Sequence, residues 1–215
     1  CTMGPCRMVG KNEDELTGVC GAKPDTIAAR NLARAIAAGC AAHSDHGRDM
    51  AFTLLAAAKG EAQGYEIKDV KKLHAVAGYV GVATEGRTKE EIAIDVANEL
   101  IAAFGKQFGE HPYIRRATKK RQEIWRNLGI TPRGVDREVV ETLHRTSMGV
   151  DQDPEHILLH ALRTSLGDGW LGSMIATDIS DILFGTPSPV RSKANLGVLK
   201  EDEVNVVVHG HEPTL

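Results

Sequence analysis

Aromatic residues make up only 4% of the chain while alanine and glycine are abundant, a balance that suits close helix packing and argues against a β-sandwich. Charge of one sign is also lacking. The 26 basic and 29 acidic residues are interspersed and leave a formal net charge of −3, so there is no electrostatic footprint for nucleic acid or an anionic membrane. No window approaches the roughly 18 uninterrupted apolar residues of a membrane span, and the opening "CTMGPCRMVG" lacks the regions of a signal peptide. The expectation is a soluble, cytoplasmic, mainly helical protein. Its 215 residues, 42% hydrophobic, suffice to bury a real core. Cysteine is rare too, but three of the four, Cys1, Cys6 and Cys20, lie within the first 20 residues. Clustered thiols in a chain without secretory marks point to metal before disulfide.

What is present is helical periodicity. The longest helix is expected from Asp25 to about Lys59, opened by Pro24 and closed before Gly60. At about 100° per residue, Leu32, Ile36, Gly39, His43, His46, Met50 and Leu54 form one stripe, expected to face inward. Arg30, Arg34, Asp45, Arg48 and Lys59 fall roughly opposite. His43 and His46 are then about 4.5 Å apart along the axis, close enough for linked hydrogen bonding. Further helices are expected at 69–80, 88–104, 115–128, 136–147, 153–166 and 169–184. Thr88 and Glu91 form a capping-box pattern, and Asp153 with Pro154 and Gly167 punctuate the penultimate helix.

The periodicity stops in "GTPSPVRSKANLG", which reads as a linker. After it, Val204 to Val208 are a β-branched run typical of a strand buried on both faces of a parallel sheet. The fold expected is a mainly α-helical domain followed by the first strand of an α/β, Rossmann-like domain cut short at Leu215. The divisions are an iron-sulfur loop segment at 1–24, a helical domain at 25–187, and a linker with one strand at 188–215.

Three features carry chemistry. The spacing C-x4-C-x13-C, with intervening glycines and a proline, lets a loop wrap a compact metal group, and thiolates suit iron-sulfur or zinc. A histidine pair in register passes protons near neutral pH, each ring accepting on one nitrogen and donating from the other. His209 and His211 directly follow the expected strand, where α/β proteins hold their ligands. Other groups read as structural: Cys40 as packing on the histidine helix, His156 and His160 as solvent or core residues, and Asp178 and Asp181 as paired carboxylates without a marked acid–base role.

"GPCRM", "GVCGAKPDTIAARNLARAIAAG" with "AAHSDHGRDM", and "LGDGWLGSMIATDISDILFGTPSP" with "VNVVVHGHEPTL", in this order, closely resemble the catalytic subunit of the anaerobic, nickel-containing carbon monoxide dehydrogenases. The likeness covers the whole chain and about the N-terminal third of such a subunit. It implies that Cys1, Cys6 and Cys20 are the last three ligands of a 4Fe-4S cluster, the B-cluster, whose remaining ligand falls three positions before Cys1. It implies that His211 binds the unique iron of the Ni-Fe-S C-cluster, with the cysteine ligands beyond Leu215, and that a further 4Fe-4S cluster is shared across a homodimer. His43 and His46 match the family's proton-moving histidines, and Asp168 of "LGDGW" its active-site carboxylate. The implied reaction is CO + H2O to CO2, two protons and two electrons, with electrons leaving toward a ferredoxin-like carrier. An acetyl-CoA synthase or a hydrogenase is the further partner this resemblance admits. The alternatives weighed are a non-catalytic iron-sulfur electron-transfer paralogue and a relative of the hybrid-cluster protein. The 215 residues in isolation are expected to be inactive.

Overall fold

A computed structural model describes residues 1–12, 15–188 and 201–205. Among these residues seven α-helices follow one another: α1 (Pro24–Ala58), α2 (Val70–Val80), α3 (Lys89–Phe104), α4 (Lys119–Asn127), α5 (Val135–Arg145), α6 (Pro154–Leu166) and α7 (Met174–Phe184). A 3-10 turn spans Pro112–Arg116, and a π-helical segment, Gly167–Ser173, joins α6 to α7. Among the described residues there is no strand and no helix long and apolar enough to cross a membrane. Val204 and Asn205, the start of the expected strand, carry no regular structure; residues 206–208, His209 and His211 lie outside the described residues.

The local signals act as their chemistry dictates. Pro24 fills the first turn of α1, where a missing N–H costs nothing. The Thr88 hydroxyl accepts from the Glu91 amide while Glu91 accepts from the Thr88 amide, closing the capping box on α3. Asp153 accepts from the Glu155 and His156 amides at the start of α6. The helix expected at 115–128 is interrupted: His111 and Pro112 start a 3-10 turn, Ala117 is extended, and α4 begins afresh after Thr118. The break lets Arg116 reach the buried Asp178 carboxylate, at 2.9 Å from Nε.

Helix α1 is the axle, packed against α3, α5, α6, α7 and the π segment. Its buried stripe is Ala29, Ala33, Ala37, Cys40, Ser44, Gly47, Ala51, Leu54 and Ala58. This corrects the inward stripe read from hydropathy, which lies roughly a quarter turn away: Leu32 is 52% exposed, and His43 and His46 are exposed, whereas Arg30, expected outside, is 1% exposed. Small side chains decide the burial, because a helix touched on several sides must admit neighbouring backbones, and bulky residues would hold them off. The second half of α1 enters the main core with Leu73, Ile92, Leu100, Phe104, Leu171 and Ile179. The first half has a smaller cluster, Ala29 and Ala33 against Ile157 and Ala161.

Buried carboxylates brace the exterior of this core. Asp178, 1% exposed, accepts from Arg116, Lys72 and the Tyr113 hydroxyl. Glu138, fully buried, accepts from Arg133 at 2.9 and 2.7 Å. Buried carboxylates persist only when paired in this way.

Candidate functional site

Cys1, Cys6 and Cys20 line one cavity of about 370 Å3, closed by Pro5, Ile27 and Met148 among others. The loop is shaped by its own backbone: the Cys6 amide donates to the Cys1 carbonyl at 2.9 Å, and the Gly18 amide to the Ala22 carbonyl at 2.8 Å. Gly18 keeps the wall thin: a Cβ there would stand 3.3 Å from the Cys6 sulfur, which would have to give by a few tenths of an ångström. The three thiols are partly exposed and unbridged. The Ala22 amide, and then the Arg30 guanidinium, hold the Cys20 thiol below its ordinary value.

Two arginines of α1 face these sulfurs. Arg30 Nη1 donates to Cys20 Sγ at 3.6 Å, and Arg34 Nη1 to Cys1 Sγ at 3.5 Å. Both escaped the sequence reading, which placed them on the outer face. The available signal was their i,i+4 spacing in an alanine-rich helix directly after the cysteines. The donor set fits a thiolate-ligated iron-sulfur group: three sulfurs on one cavity wall, glycine where the wall must be thin, and cationic donors where the group is anionic. Among the described residues the cysteines are not gathered as tightly as a single-ion site; the one group whose ligand atoms all lie within 4.8 Å is Glu138, Glu141 and His160.

That group is a salt-bridge network. Burial alone would raise the Glu141 carboxyl, but hydrogen bonds from Arg145 and Arg133 outweigh it and hold it at about 2. Burial pushes the His160 imidazole down, against the two carboxylates. With Arg133, Arg145 and Arg163 already on these oxygens or beside them, the cationic role is filled. His156 is exposed and lies beside Asp151, at 3.3 Å. Asp178 and Asp181 share Lys72, at 3.2 and 2.8 Å.

Further along α1, His43 Nδ1 meets Asp168 Oδ1 at 2.5 Å, joining residues 125 positions apart. The pairing rests on glycine. Gly47 of α1 and Gly172 of the π segment cross so closely that a Cβ on Gly47 would stand 2.7 Å from the Gly172 oxygen. One on Gly172 would stand 2.8 Å from the His43 carbonyl carbon. Gly167 does not stop α6 as expected; at φ −59° it carries the helix into the π segment and packs against Cys40. Trp170, in the middle of that segment, is pinned edge-on to Trp125 of α4, with ring centroids 5.4 Å apart. The widened turn thereby presents Asp168 to His43, whose side chain keeps 51% of its surface accessible. Cys40 beneath is fully buried, and burial, with the Asp168 charge second, pushes its thiol up to about 12. It is a neutral packing group. His46 is exposed, one turn beyond His43.

A thiol-lined cavity thus lies at one end of helix α1 and a carboxylate-held imidazole further along it. Residues 1–215 match the Prismane/CO dehydrogenase family, and the chain belongs to it. It is 57% identical over its whole length to carbon monoxide dehydrogenase 1 of Methanosarcina mazei, and 45% identical to the carbon monoxide dehydrogenase of Rhodospirillum rubrum. It spans 34% of each of those relatives. The Ni-free carbon monoxide dehydrogenase of Thermococcus sp. AM4 superposes on 94% of the chain with a TM-score of 0.84 at 51% identity, using 32% of that structure. An acetyl-CoA synthase/carbon monoxide dehydrogenase, described with NiZn[Fe4S4] and NiNi[Fe4S4] clusters in its alpha subunits, superposes on 88% with a TM-score of 0.82 at 37% identity.

Proposed function

We propose that the chain is part of an anaerobic, nickel-containing carbon monoxide dehydrogenase, an oxidoreductase converting CO and water to CO2, two protons and two electrons, reversibly. The observation that carries the proposal is the placement, on the single helix α1, of the cysteine cavity and the His43–Asp168 pair. In this reading residues 1–24 are the iron-sulfur loop segment, 25–187 the helical domain, and 188–215 a linker leading into a Rossmann-like domain. The full-length protein works as a cytoplasmic homodimer that passes electrons to a ferredoxin-like carrier, with an acetyl-CoA synthase or a hydrogenase as further partner.

Cys1, Cys6 and Cys20 would hold a 4Fe-4S cluster, and His211 one metal of the Ni-Fe-S cluster. The bound metals supply CO binding, activation of water at neutral pH and storage of electrons. The protein's own residues manage the protons. With Nδ1–H donated to the Asp168 carboxylate, the tautomer of His43 is fixed and Nε2 is left as an acceptor. His46, one turn on, takes the proton next and delivers it to bulk water. Asp168 acts as the positioning group, and the glycine crossing keeps it in place without any ligand.

The test uses the full-length protein with its metals. CO-dependent dye reduction is followed across pH for the parent and for Asp168→Asn and the double replacement His43→Gln, His46→Gln. Turnover is expected to fall by about a hundredfold in the double variant, the scale of a lost proton-transfer group, and less in Asp168→Asn. Metal content should be unchanged. Unaltered turnover at every pH in both variants would end the relay, and a parent without CO-dependent reduction would end the functional assignment.

A further inference from the structure

Among the described residues Arg30 is the largest fully buried side chain, 1% exposed, and no carboxylate there pairs with it. Its Nε donates to the Asp151 carbonyl at 3.1 Å, its Nη2 to the same carbonyl, and its Nη1 to Cys20 Sγ. The Asp151 carboxylate itself is turned elsewhere, to Arg145 at 2.9 Å and to the Asp153 amide at 3.0 Å. One helical turn on, Arg34 repeats the pattern with Cys1 Sγ, the Thr146 carbonyl and the Asn31 side-chain oxygen. Two cations therefore stand one turn apart behind one loop, against neutral acceptors and two sulfurs. The buried carboxylates among the described residues each have a counter-charge: Asp178 has Arg116 and Lys72, Asp181 has Lys72, and Glu138 has Arg133. A buried guanidinium without an anion is costly. The missing anion belongs on the sulfur side.

We infer that Arg30 and Arg34 are the counter-charges of an anionic, thiolate-ligated cluster and, by N–H···S hydrogen bonds to Cys20 and Cys1, raise its reduction potential. The inference rests on the reading that Cys1, Cys6 and Cys20 hold a four-iron cluster. Reduction adds one electron to the cluster and neither makes nor breaks a bond, so the anion gains one negative charge. A fixed positive charge within hydrogen-bond distance of its ligands favours the reduced form, and hydrogen bonds to the sulfurs act in the same direction. Arg30, deeper and less screened, is the stronger of the two. Both are positioning residues: they touch the ligands, and their effect is read in the cluster's affinity for an electron.

The experiment is a dithionite titration of the full-length, metal-loaded protein, followed by electron paramagnetic resonance. The signal of this cluster is identified as the one lost in Cys6→Ser. Arg30→Met removes the charge and keeps the stem; the expected result is an intact signal with its midpoint lowered by about 59 mV, a tenfold change in the ratio of oxidised to reduced cluster at a fixed potential. Arg34→Met should shift it in the same direction by less, and Arg30→Lys should recover most of the drop. A midpoint unchanged in both methionine variants, with the signal intact, overturns the inference and leaves the cluster assignment standing. If Arg30→Met assembles no cluster, the half-exposed Arg34 decides on the same terms. A Cys6→Ser protein with the parent's full set of signals overturns the cluster assignment itself.

Discussion

The first half of α1 meets a loop through two guanidinium groups and a small apolar cluster of Ala29, Ala33, Ile157 and Ala161. The second half is pressed backbone to backbone on the π segment, inside the main core. Both ends hold candidate functional groups, but their accuracy comes from different sources. At the cysteine end, position depends on hydrogen bonds from two arginines to sulfur and carbonyl oxygen. At the histidine end, the 2.5 Å contact between His43 and Asp168 follows from two glycines that let main chains touch. One end is held by side-chain hydrogen bonds, and the other by main-chain contact.

Three measurements would break or sharpen that contrast. The largest effect is expected from Gly172→Ala. The three atoms nearest the new Cβ are main-chain atoms of His43 and Ser44, at 2.8 to 2.9 Å, and these cannot yield as a side-chain tip can. A loss of about 3 kcal/mol in chemical denaturation is expected, the upper range for overpacking. A loss below about 0.5 kcal/mol would show that the crossing is soft.

Acid should come next, and should act on the main-core side. His111 is 1% exposed; its Nδ1 accepts from the Tyr113 amide, and its Nε2 has no partner among the described residues. Burial, with Lys106 second, pushes its imidazole down to about 3. Because the folded value lies below the unfolded one, near 6.5, the stabilising contribution is complete above about pH 6.5. It is lost as pH falls toward 3, at about 1 kcal/mol per pH unit. His111→Asn should flatten the stability profile between about pH 6 and 4, read from denaturant midpoints; a profile as steep as the parent's would place the acid sensitivity elsewhere. Glu141, held at about 2, adds a loss of the same sign only below its unfolded value, near 4.3.

The smallest effect belongs to the cysteine end. Asn31 Oδ1 accepts from the Thr2 amide at 3.2 Å and from its hydroxyl at 3.0 Å, tying the loop to α1 at the surface. Asn31→Ala should change global stability by less than about 0.5 kcal/mol, yet speed amide exchange at Thr2 to Cys6. A global loss above about 1 kcal/mol would mean that the loop is an integral part of the helical body.

Much of the scaffold was legible in the sequence because caps and punctuation act locally. The expected span of α1, Asp25 to about Lys59, is within a residue at each end of the observed Pro24–Ala58, and the Thr88–Glu91 box forms as its spacing indicates. Orientation was less legible. Hydropathy put His43 and His46 inside and Arg30 outside, because it weighs transfer from water and takes no account of how closely a backbone must pass. The π segment was not legible either: Gly167 after Leu166 has the composition of a helix stop, and only the tertiary contact of Gly172 with α1 shows why the chain keeps turning. Of the candidate residues, His43 and Asp168 are brought together and the three cysteines share a cavity. His211 lies outside the described residues.

The π segment has an implication for how this chain tolerates length changes. A widened turn of this kind holds one surplus amino acid relative to an ordinary α-helix. Deleting a single position between Gly167 and Ser173 would let α6 and α7 merge into a regular rod, with backbone bonding as complete as before. The same deletion would turn α7 about 100° around the axis relative to Asp168, so that α7 and the His43–Asp168 pair could not both keep their present packing on α1. The irregularity can therefore be erased by the loss of one residue, and what that loss would cost is the register between one side chain and the helix it faces.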